Sequence, residues 1–495
     1  MTLAADRTAV NEELVSLDPG SGEVIATLPV HGVPEVGAAV ARARAAATWW
    51  RALGFAGRRA RLGAWKAHLA REMPVLVDLM HRENGKPVPD AQLELLLAID
   101  HIAWAAKNAP KVLGPRRVSS GALMANQSAT LEYQPLGVVG VIGPWNYPVF
   151  TPMGSIAYAL AAGNAVVFKP SEYTPEVGRW LVDSFSAVVP EHPVLQLVTG
   201  RGETGAALCR SGVDKIAFTG SAATGRLVMA ACAETLTPVL MECGGKDALI
   251  VDDDADVDAA AEAAVWGGMS NAGQTCIGIE RVYATEAVYD AFLAAATAKA
   301  AALRPGTGEG ASYGPITMPA QVEVIRRHIA DALARGGRAV TGGGIDGGLV
   351  EPTILADVPE DSLAVTQETF GPTLTVTRVR DADEAVELAN ASSYGLAGAV
   401  FSRRRGMELA RKLRSGMTSV NAVVAFAGVP SLPFGGSGES GFGRIHGADG
   451  LREFTRAKAI TRQRFALPVP LTSFRRTAKV DALLVKTVRL VYGRR

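Results

Sequence analysis

The chain has 495 residues, 48% of them hydrophobic and 20% charged, with a formal net charge of +1. That length suits two or three domains around a large core, and the balanced charge excludes the strong field that draws nucleic acid or acidic ligands. The four cysteines include no CxxC pair, which excludes a disulfide framework and offers no zinc-like spacing.

In chain order, Leu14 to Val30 reads as two short strands around the turn "DPGSG". No signal peptide is expected from the acidic N-terminus, and no window is apolar for long enough to span a bilayer. With so few thiols, a reducing cytoplasmic compartment is expected. Residues 34 to 112 carry helical spacing, broken at Gly85 and Pro87.

From Leu136 strands alternate with helices: "LGVVGVIGP", a helix stopped at Gly163, "AVVFKPSE", a helix at 175 to 188, "VLQLVTG", a helix at 203 to 210, and "KIAFTG". Strands apolar throughout predict a parallel sheet covered on both faces, in the dinucleotide-binding style. A second alternation starts near Lys246 with "DALIVDDDAD" and a helix at 255 to 267 that is expected to end at Gly267-Gly268. It continues through helices at 319 to 335 and 381 to 390, with the strands "AVTGGG", "EPTILADV" and "LTVTRV". Gly-rich "PFGGSGESGFGR" reads as a loop that buries Phe434 and Phe442. The basic, partly apolar tail from 469 to 495 projects as an amphipathic helix, either packed on protein or lying on a membrane surface.

Some residues carry chemistry. Cys276, in "NAGQTC", sits in a polar turn of small residues whose backbone N–H groups can favour a thiolate; a packed thiol is the bland alternative. Glu242 ends an apolar run, where desolvation raises a carboxyl toward the range of a general base, although a turn cap would look the same. Asn146, between prolines in "PWNYP", can donate to an oxyanion or merely shape the turn. "FTGSAATG" puts Gly220, Ser221 and Gly225 at a strand end and helix start, a place that attracts phosphate. Lys169 and Glu172 stand at another strand end, placed for ribose hydroxyls or simply exposed. Cys209, Cys232 and Cys243 read as packing.

Seven segments, "PWNYP", "KPSE", "FTGS", "MECGGK", "NAGQTC", "QETFGP" and "PFGGSGESGFGR", occur in one order, with 34 residues from Glu242 to Cys276. This pattern strongly resembles the aldehyde dehydrogenase superfamily. The resemblance implies an α/β fold: a parallel-sheet dinucleotide-binding domain (1–118 and 138–245), a second α/β catalytic domain (246–440) and a small β oligomerisation extension (119–137 and 456–468). It implies Cys276 as nucleophile, Glu242 as the base that activates water, and Asn146 as oxyanion donor. Trp145, Lys169, Glu172, Gly220, Ser221, Gly225, Glu368 and Phe370 would hold NAD, with NADP possible; Glu172 favours NAD by repelling a 2′-phosphate. No metal is implied. Relatives form homodimers or homotetramers, here through "ATLEYQPLG" and "AKAITRQRF", expected to pair edge to edge across subunits.

Where many members carry a glutamate after "GxGR", this chain has Ile445, followed by His446, which is expected to be structural. Glu242 therefore lacks a second glutamate in relay. The apolar segment "AVVAFAGVPSLP", with Phe150, Met153 and Ile277, predicts a hydrophobic funnel without an arginine clamp. It favours aliphatic or aromatic aldehydes over the alternative, succinate semialdehyde. An acylating dehydrogenase is disfavoured by Glu242, and a binding or structural protein on the same fold by the intact Cys276, Glu242 and Asn146.

Overall fold

The computed structural model describes residues 13–466 and 473–493. The chain forms two compact units, Met1–Val112 with Pro135–Arg456, and Leu113–Gln134 with Ala457–Arg495.

In the larger unit the apolar runs become buried strands because both faces of each sheet are covered by helices. Strands Val138–Ile142 and Ala165–Lys169 are buried at every position. They lie in a six-stranded sheet ordered 441–442, 239–243, 215–220, 138–142, 165–169 and 195–197. Its pairs are parallel except at the 441–442 edge. A second, seven-stranded sheet runs 338–341, 353–356, 373–379, 279–285, 247–251, 398–401 and 419–420, again parallel except at its 338–341 edge. Strand Ile279–Thr285, the central strand of that sheet and fully buried, begins three residues after Cys276. Its sequence, "IERVYAT", mixes charge with apolar residues and does not read as a buried strand.

Two expectations are corrected here. Gly267-Gly268 does not stop a helix: the helix runs Val257–Met269 through both glycines. They are small because the helix touches the sheet; a Cβ on Gly268 would stand 2.4 Å from Leu374 Cδ2 and 2.7 Å from the Ile279 carbonyl. The late Gly-rich segment is not only a loop. Gly441–Phe442 forms the antiparallel edge strand, with Gly441 opposite Glu242. Phe434 is buried but Phe442 is exposed, so the backbone pairing, not the Phe442 ring, anchors the segment.

The first helices pack on the first sheet and are tied to it by polar groups. Glu83 is buried and accepts from Ser16 Oγ at 2.5 Å and from the amides of Glu176 and Val177 at 2.8 Å each. It thus caps helix Pro175–Val188 from a distant part of the chain. Desolvation pushes its carboxyl up to about 7, with the Ser16 and backbone hydrogen bonds opposing.

The smaller unit holds a three-stranded sheet ordered 455–463, 127–135, 116–118. The two segments assigned to an oligomerisation extension thus lie side by side within one chain. Arg464 N–H donates to the Asn126 carbonyl at 2.8 Å. Strand Thr455–Gln463 is exposed along nearly its whole length. Helix Ala478–Tyr492 comes next; residues 467–472, which include part of the expected extension and tail, and residues 494–495 lie outside the described residues. Among the described residues no helix is long and apolar enough to cross a membrane.

Replacing Gly268 with alanine should lower the thermal unfolding midpoint, at a cost of about 1–3 kcal/mol for overpacking. An unchanged midpoint would show that the helix–sheet contact is looser than these distances require.

Candidate active site

The two sheets contribute from opposite ends. Lys169, Gly220 and Glu242 stand at the C-terminal ends of strands in the first sheet. Cys276 and Glu368 precede the N-termini of strands in the second. Gly244-Gly245-Lys246 joins Glu242's strand to Asp247–Val251.

Cys276 comes after a short turn, Ser270–Gly273, in which Asn271 (φ 53°) and Ala272 (φ 57°) are left-handed, as is Gly273 (φ 71°). Such backbone costs about 1–3 kcal/mol per non-glycine residue and persists only when neighbours over-determine it. Here they do. Asn271 Nδ2 donates to the Asn146 carbonyl at 3.0 Å, Gln274 Nε2 to the Asn271 carbonyl at 2.9 Å, and Thr317 N–H to Gln274 Oε1 at 2.8 Å. Gly273 has no alternative: a Cβ there would lie 2.0 Å from the Gly371 carbonyl oxygen.

Asn146 is buried, and its Nδ2 donates to the Gln274 carbonyl at 2.8 Å, leaving the second amide hydrogen for a ligand. The turn that holds it rests on a buried ion pair absent from the sequence-derived candidates. Lys86 Nζ lies 2.5 Å from Glu94 Oε2 and 2.8 Å from the Asn146 carbonyl, over the Tyr147 ring at 4.1 Å. Glu94 Oε1 accepts from the Val149 and Phe150 amides at 2.8 and 3.0 Å. Removing one partner of such a pair costs roughly 3–5 kcal/mol.

A second buried pair, Lys246 with Glu280, holds the "QETFGP" loop. Glu280 accepts the amides of Thr369 and Phe370, at 2.8 and 3.0 Å respectively, and Lys246 Nζ donates to Thr369 Oγ1 at 3.1 Å. Phe370 is left-handed at φ 51° and meets Trp145 edge-on, ring centroids 5.4 Å apart. Glu368 accepts from Gly245 N–H at 3.1 Å. Lys246 lies inside a matching motif whose pattern gives it no role; Lys86, Glu94 and Glu280 carry no sequence signal, because only the fold places them beside the loops they hold.

Glu242 is 3% exposed, and neither carboxyl oxygen has a hydrogen-bond partner among the described residues. The turn-cap alternative therefore fails. Desolvation drives its carboxyl well above the usual range, Arg444 opposing and Glu453 adding to it. Ile445 exchanges backbone hydrogen bonds with Phe434, at 2.9 and 2.7 Å, in the segment beside Glu242.

The expectation of a thiolate-favouring field around Cys276 is corrected. Burial raises its thiol, and the negative charges of Glu368, Asp247 and Glu242 raise it further; the Ile277 amide hydrogen bond opposes them. The small-residue turn supplies one donor, but three carboxyl groups from distant segments outweigh it. Desolvation also pushes Cys243 up to about 12. Cys243 is buried against Gly225, where a Cβ would stand 3.2 Å from its sulfur. Gly225 thus serves helix–strand packing. Cys209 and Cys232 are brought together, and all four cysteines are free.

Ser221 caps the exposed start of helix Ala222–Ala233, its Oγ accepting from Thr224 N–H at 3.2 Å. Gly220 precedes it, with its Cβ space filled by the Phe218 ring 2.7 Å away. Lys169 is buried; its ammonium donates to the Pro170 carbonyl at 3.1 Å and lies 3.8 Å from Glu172. A buried ammonium with one close bond has donors left for a ligand.

Cys276 opens onto a cavity of about 230 Å³. Phe150, Trp266, Ile277, Val424 and Phe434 form much of its apolar lining, and Leu93 and Leu97 add to it. Met153 does not line it; that side chain is fully buried on the helix behind. Asp90 and Glu94 are its only charged lining residues among the described residues. Burial raises the Asp90 carboxyl, with Lys86 opposing. Behind the Phe150–Phe434 wall, His446 is buried against His101, ring centroids 3.8 Å apart, and its ring nitrogens have no partner among the described residues. Desolvation keeps it well below the usual histidine range, as a neutral ring.

Asp247 shows how burial couples to pH. Its Oδ1 accepts from Ala397 N–H at 2.9 Å, its Oδ2 has no partner among the described residues, and desolvation pushes it up to about 8. The folded protein then keeps a proton that the unfolded chain loses above about pH 4, so this group's contribution to stability falls as pH rises from there through about 8. Asp247→Asn should shift the unfolding midpoint, relative to the parent, in the variant's favour from about pH 5 to about pH 8. Parallel midpoint–pH curves would refute the buried, protonated carboxyl.

Residues 6–460 match the model of the aldehyde dehydrogenase family. The chain is 36% identical over 446 residues to 4,4'-diapolycopene aldehyde oxidase of Methylomonas sp, covering 89% of this chain and 84% of that one. It is 36% identical over 449 residues to glutarate-semialdehyde dehydrogenase of Pseudomonas putida, covering 89% and 92%. The crystal structure of succinate-semialdehyde dehydrogenase from Burkholderia pseudomallei superposes with a TM-score of 0.87 at 34% identity, covering 91% of this chain and 95% of that one.

Proposed function

The chain belongs to the aldehyde dehydrogenase family and oxidises an aldehyde to the carboxylic acid with NAD(P)⁺, and from that premise we propose which residues act and which aldehydes enter. Cys276 is the nucleophile, Glu242 the base for hydrolysis and Asn146 an oxyanion donor. Support comes from the conjunction of a cavity ending at Cys276 with a buried, unpartnered carboxyl and a buried amide with a free hydrogen.

Cys276 gives its proton to solvent, and its sulfur bonds to the aldehyde carbon while the carbonyl π electrons move to oxygen. Asn146 and the Cys276 backbone N–H stabilise that oxygen. NAD(P)⁺ held at this site would supply the acceptor for a hydride and its electron pair, and loss of that hydride would leave a thioester on Cys276. Glu242 then removes a proton from water, the water oxygen bonds to the thioester carbon, and the C–S bond breaks to release the acid and the Cys276 thiolate. The residues fit the cofactor: Lys169 has donors to spare, Ser221 opens an exposed helix N-terminus, and Trp145 and Phe370 set an aromatic corner. Glu368 adds a carboxyl beside Gly245, and the Glu172 carboxylate favours NAD over NADP. Lys246–Glu280 positions the loop that carries Glu368 and Phe370. Exposed strand Thr455–Gln463 is the edge through which subunits would pair, and free thiols suit a reducing cytoplasm.

The substrate is a neutral, apolar aldehyde. No lysine or arginine lines the cavity among the described residues; Glu94 is matched by Lys86, and Asp90, when ionised, would repel a carboxylate. On this reading its substrate differs from those for which the glutarate- and succinate-semialdehyde dehydrogenases are named. It agrees with the relative named for diapolycopene aldehyde.

Purified protein should reduce NAD⁺ with medium- and long-chain aldehydes. Cys276→Ala should abolish this, and Glu242→Gln should keep a single-turnover burst while steady turnover falls by about 10²-fold or more. Because Cys276 and Glu242 are both raised by burial, both steps should speed up as pH rises into the alkaline range. Turnover surviving in Cys276→Ala, or equal loss of burst and steady state in Glu242→Gln, would reject these roles.

Asp90→Arg should raise kcat/KM for succinate semialdehyde relative to an uncharged aldehyde of similar length by about tenfold or more. A ratio unchanged by that substitution would show that Asp90 does not discriminate.

A further inference from the structure

The family match ends at residue 460, and the C-terminal segment beyond it differs from the rest of the chain in charge. Residues 473–495 hold seven lysines and arginines and one aspartate, a net charge of +6, in a protein whose total is +1. The remainder of the chain is therefore net negative. Such asymmetry marks a segment with a partner of its own.

That segment folds as helix Ala478–Tyr492, and no residue in it is buried. Along it, Val480, Leu483, Leu484, Val488 and Val491 recur at spacings of three and four, which puts them on one side. Lys479, Lys486 and Arg489 fall on the other side. Arg475 and Arg476 precede the helix, and Arg476 pairs with Asp481 at 2.6 Å, engaging its one carboxylate. Leu490 is 62% exposed, and Leu483, Val488, Val491 and Tyr492 are exposed as well. An apolar stripe with cations opposite and at the ends is unstable in water and complements a surface that offers hydrocarbon beneath negative charge.

We propose that helix Ala478–Tyr492 is a membrane-surface anchor that binds anionic lipid headgroups through its cations and seats its apolar face at the acyl boundary. A second copy of this helix is the weaker occupant, because it would bring +6 against +6. At fifteen residues the helix lies on a bilayer and does not span it. An anchor of this kind would bring the cavity to aldehydes dissolved in lipid; that consequence, though not the binding itself, rests on the apolar substrate proposed above.

The test uses the full chain and co-sedimentation with vesicles of phosphatidylcholine alone or mixed with phosphatidylglycerol. Turnover of a short water-soluble aldehyde and the solution mass by light scattering are measured in parallel. The parent should sediment with the mixed vesicles, much less with phosphatidylcholine, and the difference should shrink as salt rises. Lys479→Glu with Lys486→Glu and Arg489→Glu, and separately Leu484→Asp with Val488→Asp, should each lower the bound fraction at least about tenfold while turnover and mass stay unchanged. Three outcomes overturn the proposal: no binding to either vesicle, equal binding to both, or a mass that falls in the Leu484→Asp/Val488→Asp variant without vesicle binding by the parent. The last would make the face a subunit contact. These readouts do not depend on which aldehyde the enzyme prefers, so failure here leaves the substrate assignment standing.

Discussion

The buried pair Lys246–Glu280 is the interaction on which the site's assembly depends. It joins the residue that enters strand Asp247–Val251 to one inside strand Ile279–Thr285. Its carboxylate also receives the amides of Thr369 and Phe370. Two charges taken from water are tolerated only when each is matched and further hydrogen-bonded. Here that requirement brings three segments, widely separated in sequence, to the place where the C-terminal ends of one sheet face the N-terminal ends of another. Lys86–Glu94 does the same on the opposite flank, where it fixes the turn of Asn146.

Glu242 and Asp247 are buried and Glu368 half-buried, none of them in an ion pair among the described residues, and desolvation raises all three. Desolvation raises the Cys276 thiol as well, and negative charge on any of these carboxyls raises it further. Burial therefore favours the protonated form of each group. That state avoids the cost of several buried anions, and each group gains its negative charge only when chemistry calls for it. Under the proposed mechanism Glu242 must lose its proton before it activates water, which would tie turnover to pH.

The apolar cavity and the tail answer to a different term, the removal of hydrocarbon from water. The cavity buries its lining at Cys276 with carboxylates at Asp90 and Glu94. The tail helix leaves its apolar stripe uncovered in the single chain. Both features point to lipophilic chemistry, and they do so from separate units of the structure.

The sequence by itself determined the α/β class, the order of elements and the identity of Cys276, Glu242 and Asn146 as candidates. Those properties reside in local patterns: uniformly apolar strands, helical spacing, and short motifs whose chemistry survives quotation. Strand Ile279–Thr285 was illegible because its charged residues, Glu280 and Arg281, are paired only after folding. The helix through Gly267-Gly268 was misread because glycine marks both a stop and a close approach, and only Leu374 and Ile279 distinguish the two. The electrostatic state of Cys276 reversed the local expectation, since its turn offers one amide while Glu242, Asp247 and Glu368 arrive from elsewhere. Met153 left the cavity wall and Trp266, Leu93 and Leu97 joined it for the same reason. Burial, charge pairing and cavity lining are sums over neighbours distant in sequence, and only the tertiary structure decided which neighbours those are.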